Sequence, residues 1–146
     1  MKAKDSDEQV FSLEDINTDQ VRSRWFIDFD WYQQSNRSLL ALAEDYLCPT
    51  CRERLKSGGA EISAKALLST IRDCCSKTPG FITNRLPILE SVFRLFLASG
   101  NQPPDLEELG RKLSELLEGD TYRTSTEILY RLLKRDRYYG LQQVKE

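Results

Sequence analysis

Four cysteines in two tight pairs, with no histidine anywhere in the 146 residues, limit this chain more than any other feature. Cys48-Pro49-Thr50-Cys51 is a CxxC, the spacing at which a turn of chain aims two thiolates at one ion about 2.3 Å from each sulfur. Cys74-Cys75 follows after 22 intervening residues and stands where a second CxxC is usual. Adjacent residues on a helix point about 100° apart, so both reach one ion only if the helix frays at its end. Ser76-Lys77-Thr78-Pro79-Gly80 predicts that fray. The pattern therefore points to Cys48, Cys51, Cys74 and Cys75 around one metal.

Four sulfurs with no open position describe structural zinc. An iron–sulfur cluster is the competing occupant, because four thiolates also hold clusters of either common type, and spacing alone does not separate the two. Two further readings stay open. Cys74 and Cys75 are also explained as small buried apolar residues on a helix stripe. A redox-active CxxC is the other, although it expects a βαβ setting and here helical patterns flank the motif.

The missing histidine removes Ser–His and Cys–His catalysis and every histidine metal site. No phosphate loop or paired nucleophile and base is present, and the Glu44-Asp45 and Glu107-Glu108 doublets read as solvated helix faces, so an enzyme is not expected. Hydrophobic residues make up 40% and charged residues 30%, a globular composition. No apolar run approaches the roughly 18 residues of a membrane span, and the first residues lack the apolar core of a signal peptide. The expectation is a cytoplasmic protein that keeps its thiols reduced and does not meet a membrane.

Apolar spacing predicts a mostly helical chain. Residues 1–24 read as a flexible acidic arm with a short helix near Ser12–Ile16, and residues 25–80 as a helical four-cysteine subdomain. Within the latter, Trp31, Ser35, Leu39, Leu42 and Tyr46 predict one helix from about Asp30 to Leu47, stopped by Cys48-Pro49. Arg52 to Lys56 is polar and leads to a turn at Ser57-Gly58-Gly59. Ser63 caps a helix over Ala64–Cys75. Ser76–Gly80 is the expected boundary, and residues 81–146 form the second subdomain. There, helices are expected over Leu86–Ser99, Leu106–Glu118 and Thr124 to about Arg135, the last two opened by the capping pairs Asp105/Glu108 and Thr124/Glu127. Tyr138–Val144 reads as a strand or hairpin edge.

The aromatic segment Arg24–Tyr32 holds five of the fourteen aromatic residues. The simpler reading folds them into the core. The sharper one makes Trp25, Phe26, Phe29 and Trp31 anchors for a protein partner, as in a subunit of a larger complex.

Three helices followed by a short strand pair resemble a winged helix. Asp105-Leu106-Glu107-Glu108-Leu109, Thr124–Asp136 and Tyr138-Tyr139-Gly140-Leu141-Gln142 make the second half similar to the HARE-HTH module found in the delta subunit of bacterial RNA polymerase. Gly119–Arg123 makes the turn before the third helix longer than in a compact helix-turn-helix. The resemblance implies that the third helix can meet DNA or the transcription machinery, with Arg131, Lys134, Arg135 and Arg137 on or beside it and Lys145 on the wing. Charge distribution is compatible: residues 1–30 carry a net −4 and residues 121–145 a net +4, within an overall −2. A solvated helix face with Glu127 paired to Arg131 explains the same residues equally. The leading expectation is a non-enzymatic regulatory or accessory protein, metal-stabilised, binding DNA or RNA polymerase. The alternatives are a protein–protein interaction subunit and an iron–sulfur redox sensor.

Overall fold

The computed structural model describes residues 17–58, 63–117 and 124–145; the helix expected near Ser12–Ile16 lies outside them. α1 (Thr18–Val21) opens the described chain with a reciprocal cap. The Asn17 side chain accepts from the Gln20 N–H at 2.8 Å, and the Gln20 side chain accepts from the Asn17 N–H at 2.9 Å. Residues 17–24, expected in the acidic arm, thus contain a helix, and Arg24 forms a β-bridge with Asp105.

The aromatic segment begins as a strand. β1 (Trp25–Ile27) pairs antiparallel with β2 (Leu141–Gln143), Trp25 opposite Gln143 and Ile27 opposite Leu141. Alternation turns Trp25 and Ile27 into the core and leaves Phe26 half-buried. The Ile27 N–H donates to the Asn101 side chain at 2.8 Å, and that side chain donates back to the Ile27 carbonyl at 3.0 Å. Asn101 reaches this position because it and Gly100 both adopt positive φ, 65° and 76°.

The single helix expected from Asp30 to Leu47 is two. α2 (Phe29–Gln34) ends at Ser35-Asn36, where Asn36 takes φ 57°, and α3 (Leu39–Glu44) restarts from Ser38, whose hydroxyl accepts from the Ala41 N–H at 3.0 Å. The apolar spacing runs straight across this break, so periodicity concealed it. α4 (Pro49–Gly58) and α5 (Ala64–Asp73) follow, then a 3-10 turn at Cys75–Lys77.

The second half contains the three expected helices, α6 (Ile88–Ala98), α7 (Leu106–Leu116) and α8 (Thr126–Arg135). Asp105 caps α7, accepting from the Glu108 N–H at 2.8 Å. The cap of α8 is Ser125 rather than Thr124, which is buried. Asp136 ends α8 and is itself buried; its carboxylate accepts from the N–H groups of Tyr138, Tyr139 and Leu141 at 2.9–3.0 Å, turning the chain into β2. Three helices and a closing strand stand in the order a winged helix needs. Among the described residues, however, the strand's partner is β1 from the other end of the chain, and no hairpin wing forms. Side chains from both sides of residue 80 share one core, with Leu67 and Ile71 of α5, Phe93 and Phe96 of α6, Leu109 and Leu113 of α7, and Leu129 and Leu133 of α8 all buried.

Candidate metal centre

The CxxC sits at the start of a helix. Pro49 is the first residue of α4, where a missing N–H and a preset φ suit proline, so Cys48 precedes the helix and Cys51 lies in its first turn. The second pair sits at the end of another helix. The last α-helical residue of α5 is Asp73, Cys74 leaves helical geometry at φ −126° and ψ −62°, and Cys75 opens the 3-10 turn. This end of the helix removes the angular obstacle to two neighbouring cysteines serving one site.

The sulfurs of Cys48, Cys51 and Cys75 all lie within 4.8 Å of one another. Cys74 joins from the outer side, its sulfur 3.3 Å from that of Cys51. Cys51 and Cys75 are buried, Cys48 is intermediate and Cys74 is exposed, and all four are free thiols. Tetrahedral zinc with bonds of about 2.3 Å would set its sulfurs roughly 3.8 Å apart, a spacing the Cys48, Cys51 and Cys75 sulfurs can meet, while the 3.3 Å Cys51–Cys74 contact would open slightly to admit the ion. Two donors already address the sulfurs. The Cys48 N–H reaches Cys75 Sγ at 3.1 Å, and the Arg54 guanidinium, one turn along α4, reaches Cys51 Sγ at 3.1 Å. Such donors stabilise a thiolate and orient it.

The thiols differ in acidity for local reasons. The Cys51 backbone N–H, at the positive end of α4, holds Cys48 down at about 7. Burial pushes Cys51 and Cys75 up. Cys74 is pushed up chiefly by its hydrogen bond with Cys51. A bound dication would override these differences, because its charge favours thiolate at every ligand.

The other expected site residues lie on other elements, the basic ones mainly at the end of α8 and the aromatic ones on β1 and α2. Lys134, Arg135, Arg137 and Lys145 are exposed and Arg131 is intermediate. Lys134 lies 5.8 Å from the centre of the Tyr130 ring, and Arg137 donates to the Lys134 and Asp136 carbonyls at 3.4 and 2.9 Å. Of the four aromatic anchors, Trp25 is a core residue, 2% exposed, with its indole N–H bonded to the Ser23 hydroxyl; it does not present a face to a partner. Phe26 and Trp31 are half-buried, and Phe29 is exposed. Arg54 escaped the sequence reading. Its signal was a spacing of three from Cys51, which becomes meaningful only once residues 49–58 are known to be helical. No known family, characterised protein or solved structure matches the chain. No helix among the described residues is long and apolar enough to cross a membrane.

Proposed function

We propose that this chain is a non-enzymatic accessory protein in which Cys48, Cys51, Cys74 and Cys75 hold one structural zinc ion that staples the start of α4 to the end of α5. The observation that carries this reading is the convergence of four free thiols from two helix ends, three of them within 4.8 Å of one another. The spacing favours a single ion over an iron–sulfur cube, whose cysteines ride on four different irons and stand farther apart. Cobalt(II) titration tests it. The intact chain is expected to develop the strong visible bands of a tetrahedral thiolate site at one cobalt per chain, and Cys74→Ser is expected to weaken and shift them. Bands that Cys74→Ser leaves untouched would remove Cys74 from the ligand set.

The binding partner favoured here is nucleic acid or the transcription machinery, met by the basic end of α8. The support is the exposure of Lys134, Arg135 and Arg137 together at one helix terminus. Reversing Lys134 and Arg135 to Glu should weaken binding to duplex DNA in fluorescence anisotropy and flatten its salt dependence. Binding that is unchanged, or absent from the parent chain, would exclude the DNA form of this reading.

A further inference from the structure

A groove of about 760 Å³, lined by none of the cysteines, lies between α2 and α3 on one side and α5 on the other, with β1 and the end of α6 also lining it. Ile27, Leu40, Leu68, Phe96 and Leu97 line it, and Phe29 stands beside them 44% exposed. A large aromatic ring left half in water next to an apolar trough is the kind of patch that marks a binding surface. The charges around the trough are of one sign. Among the described residues, Arg37, Lys65 and Arg72 line it and no carboxylate does, on a chain whose net charge is −2.

Lys65 and Arg72 are seven residues apart on α5, hence on one face and about 10 Å along its axis, with Leu68 and Ser69 between them on the same stripe. Arg37 comes from the segment before α3. Its guanidinium lies 4.0 Å from the centre of the Tyr138 ring and 5.8 Å from that of Trp31, against aromatic faces. Arg72 does have a partner, the adjacent Asp73 at 2.8 Å, but both side chains are largely in water, 46% and 65% exposed, where such a pair exchanges easily. A ligand with a single anionic head would meet only one or two of these cations. A helix with an apolar stripe flanked by acids meets them all.

We propose that this groove docks an acidic amphipathic helix of a partner protein, its apolar side chains in the trough and its carboxylates on Arg37, Lys65 and Arg72. The site is separate from the cysteine cluster and does not depend on the metal reading.

The test uses the full chain with two fluorescein-labelled synthetic helices of about sixteen residues. Both carry leucines at helical spacing; one is flanked by glutamates and the other by lysines. The glutamate peptide is expected to bind about tenfold more tightly than the lysine peptide, and Lys65→Glu/Arg72→Glu should abolish or invert that preference. Amide shifts in the nitrogen–proton NMR spectrum should cluster at Phe29, Lys65, Leu68 and Arg72. Equal affinity for the two peptides, no binding of either, or shifts confined to Lys134–Arg137 would overturn the proposal. So would a groove that takes sodium oleate but neither peptide.

Discussion

Gly110 and Gly58 are both helical, and replacing each by alanine should move stability in opposite directions. In the interior of α7, alanine in place of Gly110 gains about 1 kcal/mol of helix propensity. Its Cβ, however, would stand 2.5 Å from the Thr124 carbonyl oxygen and 3.5 Å from Leu129 Cδ1. The carbonyl is backbone, just ahead of the Ser125 cap, so relief requires α8 to shift and Leu129 to leave its place in the core. Overpacking of this kind costs about 1–3 kcal/mol, and a displaced cap adds about 1 more. The net expectation for Gly110→Ala is a loss of about 1–3 kcal/mol. Gly58, the last residue of α4, has nothing among the described residues within 4 Å of the same added carbon. Gly58→Ala should be neutral or stabilising by up to about 1 kcal/mol. Urea unfolding followed by far-ultraviolet circular dichroism, with zinc saturating, measures both. If Gly110→Ala proves as stable as Gly58→Ala, the close α7–α8 approach is wrong, and with it the way the basic end of α8 is displayed.

Asp136→Ala strips three N–H groups, that of Leu141 buried and those of Tyr138 and Tyr139 part-buried, of their acceptor and should cost about 3 kcal/mol, with Asp136→Asn costing roughly half, because a buried bond to a charged group is worth about 1.5–3 kcal/mol and part-buried ones less. A thermal melt in which Asp136→Ala matches the parent would refute that role. Metal affinity should fall steeply with pH. Cys51, Cys74 and Cys75 are held above the ordinary thiol value and Cys48 at about 7. Between pH 7.5 and 6.5 the ion must therefore displace three protons fully and a fourth in part, so affinity drops by roughly three to four orders of magnitude as pH falls one unit. Competition against a chelator of known proton linkage measures the slope, and a slope near one would mean that most of the thiols are not ligands.

Local signals in the sequence marked the cysteine cluster well, because each of its parts is short-range. The CxxC turn depends on Pro49, and the end of α5 is announced by Ser76 to Gly80. The caps at Ser63 and Asp105, and the stop at Gly100, were legible for the same reason: a cap is one side chain answering an N–H three residues on. α4 was hidden because only Cys51 and Leu55 turn inward, leaving Arg52, Glu53, Arg54 and Lys56 in water with no stripe to read. Pro49, as a first helical residue, was the one available hint. The β1–β2 pair was hidden for a different reason. Its partners lie more than a hundred residues apart, and nothing in the periodicity of either strand names the other. Trp25 followed from that pairing. Once β1 exists, alternation buries it, as the simpler core reading has it, and of the four residues the sharper reading made anchors chiefly Phe29 is presented.

The central claim is that four thiolates close on one ion, and the most direct test is elemental analysis of the native chain purified without oxygen, combined with a count of reactive thiols. The account predicts a colourless protein with one zinc per chain and four cysteines protected from a thiol reagent until a strong chelator is added. Iron with sulfide and visible absorption would replace zinc with a cluster. A metal-free chain with four freely reacting cysteines would contradict the claim itself.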